Sequence, residues 1–156
     1  EPIQGSVAVK RLGLSGDVQV DKRVHGGPLK AVYLYPSEHY EFWREVLSTP
    51  ELPPGSLGEN FTTEGVLESS THVGDQFQIG SAIFQVTQPR EPCFKLALKF
   101  ARPDIIQIFR DSNRSGLYLF VVQEGEVEAG QAIERVKHEP ESPTIEQVAA
   151  SLNRHL

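Results

Sequence analysis

Gln76-Phe77-Gln78-Ile79-Gly80-Ser81-Ala82-Ile83-Phe84-Gln85-Val86 is the stretch that decides the fold class. Two runs of strand length flank Gly80-Ser81, a two-residue loop of the kind that closes a β-hairpin because glycine tolerates positive φ. The same punctuation recurs on both sides of it. Residues 7–14 and 17–20 flank Ser15-Gly16, residues 31–35 read as a buried strand, and residues 117–122 reach Val127 through Glu124-Gly125-Glu126. Short strands set apart by glycine and proline predict a mainly β fold with a few short helices. Ser37 stands where it can cap a helix running to Leu47, with Tyr40, Trp43 and Leu47 on one stripe. Residues 94–100 and 104–109 form a broken helical pair, interrupted where Pro103 disfavours helix at Arg102. Near the end, Thr144 and Gln147 make a capping box, and Ile145, Val148, Ala149 and Leu152 recur at helical spacing. Glu139-Pro140-Glu141-Ser142-Pro143 is linker-like, so residues 139–156 read as a linker and short C-terminal helix appended to a domain over residues 1–138.

Length and charge bound the function. A chain of 156 residues with 38% hydrophobic and 23% charged residues suits one globular domain, and no apolar run approaches the ~18 residues of a membrane span. With Lys+Arg 15 against Asp+Glu 21, the net charge of -6 argues against binding a nucleic acid polymer or an acidic membrane, since both need a dominant cationic field. Any anion site must be local. One cysteine cannot build an internal disulfide framework, which places the expected setting in the cytoplasm. Methionine is absent even at position 1, which leaves a removed start open.

The chemistry-bearing residues gather in four loops. Asp21-Lys22-Arg23-Val24-His25-Gly26-Gly27-Pro28 puts cations and an imidazole before a Gly-Gly turn whose N–H groups could cradle an anion, although a solvated surface turn has the same composition. Gly55-Ser56-Leu57-Gly58-Glu59-Asn60-Phe61 delivers Asn60 to a strand entry, either to offer donor and acceptor to a heterocycle or to hold the loop. Thr87-Gln88-Pro89-Arg90-Glu91-Pro92-Cys93-Phe94-Lys95-Leu96 places the only cysteine between Arg90 and Lys95 at the start of a helix, and both influences favour thiolate over thiol. Burial is the ordinary fate of a lone cysteine, but this proline-braced cationic loop weights the reading toward function. Asn113-Arg114-Ser115-Gly116 could add a guanidinium or merely cover an edge. No dinucleotide fingerprint, phosphate loop, CxxC or His-x-x-x-His spacing is present. His25 is the one histidine already in a suspicious loop near which Cys93 could act as a hydrolase pair.

Taken in order, these segments resemble the bacterial MOSC domains, the molybdenum-cofactor sulfurase C-terminal type, and within them the YiiM-like subgroup. The resembling residues are Gly16-Asp17 through Arg23-Val24-His25-Gly26-Gly27, Tyr35-Pro36 with Glu38-His39-Tyr40 and Trp43, Gly58-Glu59-Asn60-Phe61, Thr63-Glu64-Gly65, Gly74-Asp75, and Gln88 to Leu96. The resemblance implies a MOSC-type β-barrel and a molybdenum cofactor (molybdopterin), with Cys93 as the metal ligand. It also implies reduction of small N-hydroxylated compounds such as hydroxylaminopurines, and the family is further linked with pyridoxal phosphate binding. By the same matching, Arg23, Asn60, Arg90, Lys95 and Arg114 become candidates for holding the pterin and its phosphate, with His25 as a proton donor beside Cys93. Two departures stand out: Phe120 occupies a place where many relatives carry arginine, and the stretch after the Thr144 helix is shorter than the three-helix extension of longer relatives.

A soft thiolate suits a sulfur-rich metal centre, and the local cations explain how an acidic chain could hold an anion. Nothing in the sequence reads as a flavin, haem or iron–sulfur site, so an external electron donor protein is expected. Two other readings remain open: a non-catalytic cofactor or persulfide carrier module, and a metal-free Cys93-His25 hydrolase.

Overall fold

The structure is a computed structural model that describes residues 5–14, 27–92 and 94–153. In chain order its strands are β1 (Val7–Lys10), β2 (Gly13–Leu14), β3 (Val32–Pro36), β4 (Phe61–Thr63), β5 (Gln76–Ile79), β6 (Ala82–Pro89), β7 (Leu117–Gln123), β8 (Gly125–Val127) and β9 (Ile133–Lys137). Its short helices are α1 (Tyr40–Val46), α2 (Phe94–Phe100), α3 (Ile105–Asp111) and α4 (Ile145–Asn153). A six-stranded sheet in the order β4-β3-β7-β6-β5-β9 curls into a half-barrel, and a smaller sheet runs β2-β1-β8. Every pairing is antiparallel except that of β3 with β4. The expected mainly β, barrel-type fold with short helices is what the chain adopts.

The Gly80-Ser81 hairpin forms in the expected register, from Gln76↔Gln85 to Ile79↔Ala82. Gly80 has φ 56, and a Cβ there would collide with the Glu126 carbonyl, so both the turn and the crossing of β8 require glycine. β6 continues past Val86 to Pro89, with a register shift between Val86 and Gln88 against β7. That irregularity bends the strand end and carries Arg90 onto the sheet rim.

Three local expectations change. Residues 7–14 are not one strand: the chain turns at Arg11-Leu12, and Val9 pairs with Leu14. Residues 125–127 do not return along β7 but cross to β1, with Val7 opposite Val127. A Cβ at Gly125 would lie 2.5 Å from Ser81 Oγ, so this crossing depends on close backbone approach, which hairpin pattern cannot reveal. Ser37 opens a 3-10 turn, Ser37–His39, without a side-chain cap, and α1 starts only at Tyr40. Residues 17–20 lie outside the described residues.

The helical breaks fall where expected. α2 and α3 are separated at Arg102-Pro103, where Ala101 takes φ 54 and Arg102 pairs with Asp104 at 2.6 Å. Thr144 and Gln147 close the capping box in both directions, at 2.9 and 3.1 Å. Ile145 is fully buried in the sheet core, and its N–H reaches the Thr71 carbonyl at 2.9 Å, so α4 packs on the half-barrel.

β3 divides the interior in two. Val32 and Leu34 enter the aliphatic core beneath the sheet, while Tyr33 and Tyr35 point into an aromatic cluster with Tyr40, Trp43, Phe109 and Tyr118. Period-two alternation therefore leaves no residue of β3 exposed, because helices cover the second face. Full burial of such side chains contributes roughly 1.5–3 kcal/mol each. Among the described residues, no helix is long and apolar enough to cross a membrane.

Candidate functional site

Arg90 leaves the end of β6 and turns toward the aromatic cluster. Its guanidinium donates to the Leu57 carbonyl at 2.8 Å and lies 4.7 Å from the Tyr33 ring centroid. Gly58 has φ 90, and a Cβ there would stand 3.0 Å from Arg90 Nη1. Two loops separated by more than thirty positions, |i−j| = 33, are thus joined by one side chain just ahead of Cys93. Burial pushes the Tyr33 phenol far above its ordinary value, with Arg90 opposing the rise, so Tyr33 stays protonated and donates to the Ser115 carbonyl at 2.7 Å.

The Gly58 loop is held from within. Glu59 is buried and accepts from the Leu57 N–H at 3.1 Å, the Thr62 hydroxyl at 3.0 Å and the Tyr40 hydroxyl at 2.5 Å. Burial and this bond to Glu59 raise the Tyr40 phenol well above its ordinary value, which keeps it a donor. Asn60 accepts from the Tyr33 N–H at 2.7 Å through its side chain, and its own N–H returns to the Tyr33 carbonyl at 2.8 Å. Its oxygen is therefore engaged in holding the loop to β3.

Cations ring this corner. Lys99 on α2 donates to the Ser56 carbonyl at 2.6 Å, and Lys30 lies 5.6 Å from the Tyr118 ring, itself 5.3 Å from Tyr33. Lys95 is exposed on the first turn of α2 and, among the described residues, makes no hydrogen bond or ion pair. Its charge is available to a ligand or a partner. Arg114 stacks 4.1 Å from the Phe42 ring centroid and donates to the Ser112 carbonyl, while its own carbonyl accepts from the Tyr35 hydroxyl at 2.7 Å. It braces α1 against the β7 entry. Arg23, His25 and Cys93 lie outside the described residues.

Sequence reasoning missed the tyrosines under Arg90 and the part played by Lys30 and Lys99. Alternation along β3 could have exposed Tyr33, since a strand buried on both faces must send aromatics somewhere. It also missed a shallow cleft beside the Arg90 loop, lined by Pro92, Phe109, Arg110, Asn113 and Leu152. Arg110 Nε there is buried without a hydrogen-bond partner among the described residues. No group of three or more His, Cys, Asp or Glu among the described residues could hold a metal ion, so a bare hydrated metal has no cage in this part of the chain.

The MOSC domain family profile matches residues 21–134. YiiM of Escherichia coli (strain K12) is 39% identical over 150 residues, which is 95% of this chain and 66% of that protein. The chain thus spans slightly less than two thirds of that relative's length. A protein of Gibberella moniliformis named reductase is 32% identical over 132 residues, 83% of this chain and 23% of its own. The crystal structure of YiiM from Geobacillus stearothermophilus has a TM-score of 0.86 at 33% identity, covering 99% of this chain and 72% of that one.

Proposed function

The chain belongs to the MOSC domain family, and from that membership we propose that it holds a molybdenum cofactor and reduces small N-hydroxylated compounds, hydroxylaminopurines among them. One observation carries this reading: Arg90 closes onto the Gly58 loop immediately ahead of Cys93, so the two segments with the strongest cofactor character meet in space.

The donor set fits such a group. Cys93 offers a soft sulfur donor and Lys95 a free cation, chemistry that suits a sulfur-ligated, phosphate-bearing ligand, and Gly58 leaves room where a side chain would press on Arg90. When bound, the cofactor supplies a metal able to take the oxygen of an N–OH group. The chain's own residues do the rest. Lys95 and Arg23 offer charge to the anionic end, and Arg90 and Asn60 hold the loops in register. His25 is the candidate to give the departing hydroxyl a proton. Electrons come from a separate donor protein in the cytoplasm. The fungal relative named reductase supports redox chemistry over hydrolysis.

The test is molybdenum analysis of freshly isolated protein, followed by steady-state reduction of a hydroxylaminopurine with a chemical reductant, using loaded and metal-free preparations. Turnover confined to the loaded form, lost in Cys93→Ser, is expected. Equal rates in the two preparations would remove the metal from the mechanism. Bound molybdenum without turnover of any N-hydroxylated compound would make the chain a carrier of the cofactor or its sulfur.

A further inference from the structure

We propose that the outer face of α2 is the docking surface for an acidic one-electron carrier protein, an inference that rests on the reductase reading above. Phe94 and Leu98 are 66% and 72% exposed, and their i, i+4 spacing puts both on one face of the helix. The opposite face is anchored by buried Leu96, with Ala97 and Phe100 packed against the aromatic cluster. Among the described residues, nothing covers those two apolar side chains.

Charge identifies what covers them. Residues 93–102 contain Lys95, Lys99 and Arg102 and no Asp or Glu, in a chain whose net charge is -6. Arg102 is neutralised by Asp104, which leaves two lysines beside the two apolar residues. Lys99 is fixed by its bond to the Ser56 carbonyl, so its charge has a set position. Leu29, 58% exposed and followed by Lys30, repeats the pairing; its carbonyl accepts from the Thr87 hydroxyl on the strand that leads into the Arg90 loop. An apolar centre with a cationic rim is complementary to an apolar spot ringed by carboxylates. The patch begins at the residue after Cys93, where electrons are needed. A seven-residue helix with two apolar side chains offers little insertion for a lipid surface.

The test uses the folded chain and a reduced flavodoxin as the acidic probe. Amide shift changes confined to α2 and residues 28–30 are expected, with affinity weakening about 5-fold or more between 50 and 300 mM salt and about 10-fold in Leu98→Glu. The binding measurement needs no turnover, so it holds or fails apart from the reductase activity, which the chemical reductant reads and Leu98→Glu leaves unchanged. Flavodoxin binding that ignores both salt and Leu98→Glu overturns the proposal. So does binding to vesicles of one part phosphatidylglycerol to three parts phosphatidylcholine, or self-association, if Leu98→Glu abolishes it and flavodoxin does not bind.

Discussion

The Arg90 guanidinium sits 4.7 Å from the centroid of the Tyr33 ring, so a cation at the mouth of the candidate site is also a brace in the fold. Its second contact, the bond to the Leu57 carbonyl, ties the end of β6 to the Gly58 loop. Arg90→Ala removes a charged hydrogen bond and a cation–π contact together, and is expected to lower stability by about 2–4 kcal/mol. Arg90→Lys should recover less than half of that, because one ammonium cannot serve both partners as a planar fork does. Urea unfolding of the three proteins checks it; a loss in Arg90→Ala below about 0.5 kcal/mol, the range of ordinary surface changes, would show that the contact carries nothing.

Glu59 makes the second brace. Its carboxylate accepts from the Leu57 N–H, the Thr62 hydroxyl and the Tyr40 hydroxyl, all partly or wholly buried. Glu59→Gln turns one acceptor oxygen into a donor that faces another donor, so about 1–3 kcal/mol of stability should be lost. Tyr40→Phe should cost less, about 1 kcal/mol, since two partners remain. A double-mutant cycle with coupling near zero would mean that the 2.5 Å bond between them contributes nothing.

Asp75 predicts a pH dependence. It is 0% exposed; burial pushes its carboxyl up, but the His72 and Glu139 N–H groups and the His138 ring outweigh burial and hold it below its ordinary 3.8. A folded value beneath the unfolded one means that stability is fully present above about pH 4 and is lost as pH falls through the lower folded value. Thermal unfolding from pH 6 down to pH 2 should therefore show a steeper fall for the natural chain than for Asp75→Asn. The variant should start lower, because its amide cannot accept at every position where the carboxylate does. Parallel curves would remove Asp75 as the source.

Local signals were legible in the sequence and nonlocal ones were not. Gly80-Ser81, the Pro103 break and the Thr144–Gln147 box each work through neighbours within a few positions, and each formed as expected. The pairing of β8 with β1 sets Val7 opposite Val127, two distant parts of the chain, and no local pattern distinguishes it from a return along β7. The same limit applies to the site. Arg90 reads as a ligand for an anion because its sequence neighbours are Cys93 and Lys95, whereas two of its contacts in the fold are with β3 and the Gly58 loop. Glu68, 2% exposed and holding His39 at 2.8 Å and the Gly116 N–H at 2.8 Å, carries no sequence mark beyond being one carboxylate among many.

Gly58 offers a way to read the joint between the two loops directly. Its φ of 90 disfavours any side chain, and the Cβ of Gly58→Ala would also come 3.0 Å from Arg90 Nη1 and 3.8 Å from its Cζ. These two costs separate in a cycle with Arg90→Ala. The backbone strain, of order 1–3 kcal/mol, remains whatever stands at position 90, while the clash vanishes with the guanidinium. Since the Arg90 guanidinium must shift a few tenths of an ångström against its bond to the Leu57 carbonyl, Gly58→Ala should be at least about 0.5 kcal/mol more costly in the natural background than beside Arg90→Ala. Equal costs in both backgrounds would show that Arg90 moves aside freely and that the Gly58 loop does not position it. The same pair reports on the site. If the joint shapes the cofactor corner, Gly58→Ala should lower the molybdenum content of isolated protein with Cys93 and Lys95 intact, and adding Arg90→Ala should lower it little further. A second drop as large as the first would make Gly58 and Arg90 independent contributors, with no shared geometry between the loops.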